Sequence, residues 1–289
     1  MEEAKGATLV HSDPLASLWI GDCLNADHVA TAMGKAVADA MILDAPYSAK
    51  THAGHKIGAI TAERALGFTE SGGENRTKER AYNARRAVKG WGRVRDIDYD
   101  SWSPETVSIF VQVWAQHVNG WWVTVTDDVL APAWRAAFEA VDLYAFAPLP
   151  LVETGSRVRM AGDGPSGWTC WIVVARPRTR AFASWGTLPG AYVVPGERRM
   201  NSHGGSERVV GGKPLLAMQC IVDDYSRRGG LVVDPCSGGG TTGRAAKALG
   251  RRFIGMEQDP GRAQIAAKAI ASVNIGQGDL FDRTGTEGT

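Results

Sequence analysis

Strand and helix alternate along most of this 289-residue chain, which predicts an α/β fold: a mostly parallel sheet with helices on both faces. Two further observations sharpen that prediction. In LVVDPCSGGGTTGRAAKALG (231–250) an apolar strand runs straight into three glycines and then a helix. Two other apolar stretches, MILD (41–44) and FIGME (253–257), each end in an acid. The carboxyl ends of strands are where open α/β sheets bind ligands.

The elements follow in order. SLWIGDCL (17–24) reads as a short strand ending in a turn. NADHVATAMGKAVADAM (25–41) has apolar residues at helical spacing, so a helix is expected there. MILDAPYS (41–48) is a buried strand entering a loop stiffened by Pro46. In SPETVSIFVQVWAQHV (103–118), Ser103 is a natural N-cap and Pro104 suits the first helical position. GWWVTVTDD (120–128) is a strand, APAWRAAFEAV (131–141) a helix and GWTCWIVVARP (167–177) a strand. Residues 177–212 break the alternation; rich in Arg, Gly and Pro, they make a poor core element. Helix, strand, helix, strand and helix then follow from Leu215 to Val273.

Composition excludes several classes. With 44% hydrophobic residues the chain can build one large core, or a core and a small lobe. No apolar run approaches the roughly 20 residues of a membrane span. The first residues are acidic where a signal peptide would be basic, so a cytoplasmic location is expected. Cys23, Cys170, Cys220 and Cys236 form no CxxC pair, which argues against a disulfide framework and a zinc site. Cys23 and Cys170 are expected in the core. Most of the ten tryptophans should pack inside, with one or two lining a pocket. The formal net charge is only +1, yet residues 50–95 hold eleven Lys or Arg against four Glu. A nucleic-acid partner would therefore be met by a local patch.

The glycine loop has a physical logic. Gly238, Gly239 and Gly240 permit positive φ and close backbone approach to a ligand, and the following helix start adds partial positive charge. No Gly-Lys-Ser/Thr follows, so this is not a phosphate-binding P-loop. Glu257 at the next strand tip can accept two hydrogen bonds from a ribose diol. In the tetrapeptide Asp44-Ala45-Pro46-Tyr47, Pro46 forces Ala45 into an extended conformation. The Ala45 carbonyl and Asp44 carboxylate then offer two acceptors, and Tyr47 an aromatic face. That set suits the exocyclic amine of a planar base; a simple β-turn with a buried Tyr is the plain alternative.

Together these segments resemble the amino-directed DNA methyltransferases that use S-adenosylmethionine. The family's DPPY-type tetrapeptide matches Asp44-Ala45-Pro46-Tyr47, and its Asp-Pro-Phe-x-Gly-x-Gly-Thr-Thr loop matches Asp234-Pro235-Cys236-Ser237-Gly238-Gly239-Gly240-Thr241-Thr242. WIGDCL (19–24), GGKPLLAMQCIV (211–222) and LGRRFIGMEQDP (249–260) match flanking family stretches. The likeness is anchored over about 15–50 and 203–265. Ala45 stands for the family's first proline and Cys236 for its Phe. The tetrapeptide precedes the cofactor loop, an order that resembles the permuted β group, in which target recognition lies between the two motifs.

The resemblance implies a Rossmann-like methyltransferase fold with circularly permuted motif order and a small recognition lobe. It implies a target-base half at 15–175 with a basic mobile insertion at 49–100, a recognition segment at 176–212, a cofactor-binding half at 213–283, and a tail at 284–289. The implied reaction moves the methyl of S-adenosylmethionine to the N6 amine of an adenine flipped out of double-stranded DNA. N4-cytosine methylation, or a decayed DNA-binding relative, is the alternative. Asp44, Ala45, Pro46 and Tyr47 are the implied catalytic set. Asp234, Pro235, Cys236, Gly238, Gly240, Thr241, Thr242 and Glu257 would hold the cofactor, with Asp22, or else Asp279, near its adenine. Lys213 and Pro214 would fix the preceding loop, although Lys213 also reads as a solvated lysine at a helix start. DNA contacts are expected from Arg76, Lys78, Arg80, Arg85, Arg86, Arg178 and Arg180; a surface insertion and a packed hairpin lobe are the competing readings of those two segments. No metal and no membrane partner is expected, and a cognate restriction endonuclease and a homodimer are compatible with the family.

Overall fold

A computed structural model describes residues 6–51, 99–154, 168–195 and 212–274. Among them the strands are β1 (Thr8–Ser12), β2 (Ala16–Ile20), β3 (Ala38–Asp44), β4 (Val118–Thr126), β5 (Leu143–Ala145), β6 (Leu149–Thr154), β7 (Thr169–Pro177), β8 (Tyr192–Pro195), β9 (Leu231–Asp234) and β10 (Arg252–Glu257). The helices are α1 (Ala26–Met33), α2 (Pro104–Trp114), α3 (Ala131–Ala140), α4 (Leu215–Tyr225), α5 (Thr241–Ala248) and α6 (Pro260–Ala271).

The strands form one sheet in the order β1-β2-β10-β9-β3-β4-β7-β6-β8, with β5 also beside β7. Its centre, β2-β10-β9-β3-β4, is wholly parallel, and β7 runs antiparallel to β4. This is the expected α/β class. Successive residues of β3 and β4 point to opposite layers. Met41, Leu43 and Trp122 join one core with Phe110, Trp114 and Trp134 of α2 and α3. Ile42, Trp121 and Val123 join the other, with Ile221 and Tyr225 of α4. Burial on both faces is why these strands read as continuous apolar runs.

Caps follow the sequence. The Ser103 hydroxyl accepts from the Thr106 amide at 3.3 Å, with Pro104 opening α2. Asp259 accepts from the Arg262 amide at 2.7 Å, with Pro260 opening α6.

Three expectations are corrected. The helix expected over 25–41 stops at Met33, because Gly34 turns left-handed at φ 54°, and the Ala-rich run after it enters the sheet as β3. Strands β1, β5 and β6 were not anticipated; they are short, and β1 and β6 are largely half-buried or exposed. Residues 177–195 do contribute to the core. Tyr192 and Val194 of β8 are buried, and Trp185 packs edge-on to Trp121 at 5.6 Å.

Candidate active site

Because β2, β10, β9, β3 and β4 are parallel, their carboxyl ends share one edge of the sheet. Asp44 ends β3, Asp234 ends β9 and Glu257 ends β10, so three acids distant in sequence arrive at one place. A cleft of about 310 Å³ lies there, lined by Asp22, Asp44, Ala45, Pro46, Tyr47, Asp234, Pro235, Cys236, Gly238, Thr241, Thr242 and Glu257. Its size falls within the usual range for small-molecule sites.

The tetrapeptide forms one wall. Asp44 Oδ2 accepts a hydrogen bond from Lys213 Nζ at 2.9 Å, and Oδ1 accepts one from the Tyr47 hydroxyl at 3.2 Å. That hydroxyl also lies 3.3 Å from Cys170 Sγ, and the Lys213 ammonium sits 4.9 Å from the Tyr47 ring centroid. Burial pushes the Asp44 carboxyl above the ordinary range, with Lys213 opposing the rise. Burial works against the Lys213 charge, but Asp44 holds it, and Lys213 keeps its proton more firmly than usual. Ala45 is buried, and among the described residues nothing donates to its carbonyl.

Asp127, at the tip of β4, anchors the loop that follows. Its Oδ2 accepts from the Ser48 amide at 2.9 Å, the Ser48 hydroxyl at 2.5 Å and the Thr51 hydroxyl at 2.6 Å. Its Oδ1 accepts from the Leu130 amide at 2.9 Å. Burial works against its charge, but these donors from Ser48, Thr51 and Leu130 hold its pKa below the ordinary value. The Trp102 amide, donating to the Tyr47 carbonyl at 3.1 Å, pins the same loop from the other side.

The glycine loop forms the facing wall. Gly240, at φ 78°, caps α5 in a left-handed conformation, and a Cβ there would lie 3.1 Å from Ala266. It does not line the cleft, whereas Gly239, absent from the expected set, does. Glu257 Oε2 accepts from the Gly238 amide at 2.8 Å and Oε1 from the Asp259 amide at 3.0 Å. Each oxygen therefore keeps a second lone pair for a ligand hydroxyl. Burial raises the Glu257 pKa and lifts that of Asp234 to about 7, with Asp44 and Glu257 adding to the Asp234 rise. Asp22 closes its own turn, its Oδ1 accepting from the Leu24 amide at 2.8 Å, and Trp114 Nε1 fixes that turn through the Cys23 carbonyl at 2.9 Å.

Cys23 and Cys170 are half-buried and pack against the margins of the two cores. Cys23 Sγ lies 3.9 Å from Cys236 Sγ beside the cleft, and Cys170 touches Tyr47.

Most of the other expected residues fall outside the described part of the chain. Arg76, Lys78, Arg80, Arg85, Arg86, Asp279 and the tail at 284–289 lie outside the described residues, as does the Arg180 side chain. Arg178 follows β7, whose carboxyl end lies opposite the cleft because β7 runs antiparallel to β4. There it pairs with Asp142 at 3.3 Å. The residues missed in the sequence are Asp127, Tyr99, Arg262 and the depth of Lys213. Tyr99 and Arg262 both line the cleft, with the guanidinium 5.0 Å from the ring. A strand-end acid in TVTDD was the available signal for Asp127; no comparable pattern marked Tyr99. Among the described residues no cluster of three or more metal-ligating side chains occurs, and no helix is long and apolar enough to cross a membrane.

Comparison with known proteins supports the family resemblance. Residues 191–268 match the DNA methylase family of N6- and N4-directed enzymes. The chain is 39% identical over 62 residues to the type II methyltransferase M2.DpnII of Streptococcus pneumoniae, covering 22% of this chain and 23% of that protein. It is 31% identical over 85 residues to M.HinfI of Haemophilus influenzae, covering 29% and 24%. These matches thus span about a quarter of each curated relative. In fold, the chain resembles M1.HpyAVI solved with SAM, with a TM-score of 0.57 at 16% identity over 89% of this chain and 99% of that one. It also resembles the cytosine-N4-specific PvuII DNA methyltransferase, with a TM-score of 0.55 at 12% identity over 93% and 90%. The fold is that of the DNA methyltransferases.

Proposed function

We propose that the chain is a DNA amino-methyltransferase that uses S-adenosylmethionine and methylates adenine at N6. The observation that carries this reading is the meeting, in one cleft, of a two-acceptor tetrapeptide with a glycine loop and a strand-end glutamate. The chemistry of the lining fits the cofactor. Asp44, Asp234 and Glu257 crowd acidic charge into one cleft, against the Lys213 ammonium paired with Asp44 and the Arg262 guanidinium in the lining. A cationic ligand relieves that imbalance, and the Glu257 oxygens retain acceptor capacity for a ribose diol.

When bound, S-adenosylmethionine supplies a methyl group activated by positively charged sulfur, which departs as a neutral thioether. Asp44 and the Ala45 carbonyl accept the two hydrogens of the target amine and aim its lone pair at that methyl. Tyr47 supplies a stacking surface for the base. As charge builds on nitrogen, the Asp44 carboxylate stabilises it, and it is the nearest acceptor for the surplus proton. Positioning of two bound reactants supplies most of the rate. The basic stretch 50–95 is the proposed contact to DNA phosphates, with binding that weakens as salt rises.

In the resembling family an aspartate opening the tetrapeptide favours adenine. Cytosine N4 is the second reading, favoured by the shared fold with the PvuII enzyme. The test is incubation with methyl-labelled S-adenosylmethionine and unmethylated DNA, followed by digestion to nucleosides. Label in N6-methyldeoxyadenosine is expected. Label in N4-methyldeoxycytidine selects the second reading, and no label with cofactor still bound refutes enzymatic methylation of that DNA.

A further inference from the structure

Lys213 is an unusual lysine. Its side chain is 7% exposed, and its ammonium meets Asp44 Oδ2 at 2.9 Å and overlies the Tyr47 ring. A solvated lysine at a helix start would point outward. Pro214, the residue before α4, fixes its backbone instead and leaves the side chain crossing into the cleft. Buried ion pairs are weak devices for stability, since an apolar pair of similar volume does as well or better. A buried pair at the tip of the tetrapeptide therefore asks for another reason.

We propose that Lys213 is a positioning residue of methyl transfer, holding Asp44 as an ionised carboxylate aimed into the base pocket. This rests on the reading that Asp44 orients the target amine. The physical need is plain. Asp44 ends β3 with its side chain 24% exposed, burial works against its charge, and its field, with that of Glu257 on β10, acts on the neighbouring Asp234 of β9. Tyr99 also feels the Asp44–Lys213 pair, burial holding its hydroxyl proton more firmly than usual, and the Cys170 thiol lies 3.3 Å from the Tyr47 hydroxyl. Glu153 adds negative charge that acts on Lys213. The Tyr47 hydroxyl donates one hydrogen bond to Asp44. The Arg262 guanidinium also lines the cleft, over Tyr99, but the cation that contacts Asp44 is Lys213, and without it burial favours the protonated acid. A protonated Asp44 loses acceptor strength toward an amine and no longer offers negative charge to the nitrogen that becomes positive. One Lys213 hydrogen fixes Oδ2, which also locks the carboxyl rotation.

The test is the Asp44 titration itself, read by carbon NMR on the full chain carrying labelled aspartate, with the Asp44→Asn spectrum assigning the signal. Lys213→Met is expected to raise the Asp44 midpoint by about 1 unit or more. It should move the acid limb of kcat by the same amount and lower kcat at neutral pH by about tenfold or more, with KM for S-adenosylmethionine changed less than about threefold. Lys213→Arg should restore most of kcat and the original limb. Should the Met variant fail to fold, Lys213→Gln carries the same readout. A folded neutral variant whose Asp44 midpoint stays put overturns the proposal, as does an Arg variant that behaves like Met. If wild-type protein labels no DNA, the methyltransferase reading fails, while the NMR midpoint still decides whether Lys213 sets the ionisation of Asp44.

Discussion

Replacing Asp127 with alanine should cost stability and activity together, and the structure sets the size. The carboxylate accepts from two backbone amides, Ser48 and Leu130, and from the hydroxyls of Ser48 and Thr51. The hydroxyls can rotate toward other acceptors, so their loss is cheap. The two amides belong to buried residues and cannot move. A buried amide left without an acceptor costs about 1–3 kcal/mol, so with two of them the variant should lose roughly 2–6 kcal/mol. Asp127→Asn should lose less, since its carbonyl still serves one amide while its NH2 opposes the other donor. Urea unfolding followed by tryptophan fluorescence measures both. The pH dependence has a definite sign. The folded pKa of Asp127 is depressed, so its contribution is fully present above the unfolded value of about 3.9 and is lost as pH falls through the lower folded value. The wild type should therefore lose more stability than Asp127→Ala on acidification below about pH 4. A variant within about 1 kcal/mol of wild type, with the same acid slope, would refute the anchoring argument.

Three further outcomes are expected. Asp44→Ala should lower kcat by about 100-fold or more while leaving the cofactor Kd, measured by calorimetry, nearly unchanged; equal loss of both would count against its assignment to the amine. Affinity for S-adenosylmethionine should rise with pH up to the Asp234 pKa of about 7, because a cation binds best to the ionised acid and its binding expels the proton; the same experiment in buffers of different ionisation enthalpy should detect that release, and none should appear if Asp234 does not sense the ligand. Gly243→Ala places a methyl 2.7 Å from both Ile270 and Phe253, an overpacking worth about 1–3 kcal/mol of lost stability, read as a lower urea midpoint; an unchanged midpoint would mean the α5–α6 contact yields freely.

Much of the architecture is legible because local signals and burial agree. The apolar runs of β3, β4 and β9 are buried on both faces, so nothing in their pattern competes with the strand assignment. Ser103-Pro104 marks α2 through a cap that the structure keeps. The sequence fails where tertiary context outweighs propensity. The Ala-rich stretch after Gly34 has helical spacing, yet the slot between β9 and β4 takes it as a strand. β8 is a four-residue strand whose buried Tyr192 and Val194 are separated by an exposed Val193, too short a pattern to read. In the site, strand-end acids were visible because parallel strands must deliver them to one edge. The pairing of Lys213 with Asp44, 169 positions apart, and the grip of Asp127 on Ser48 and Thr51 depend on loop paths that no local pattern encodes.

The most direct test of the whole account is a crystal structure of the chain with S-adenosylmethionine and a DNA duplex carrying its target base. The methyl carbon should lie about 3–3.5 Å from the exocyclic nitrogen of an extruded base, the ribose hydroxyls on Glu257 and the amine hydrogens on Asp44 and the Ala45 carbonyl. A cofactor bound away from the Gly238 loop, or a base lodged on a surface that Asp44 does not reach, would contradict it.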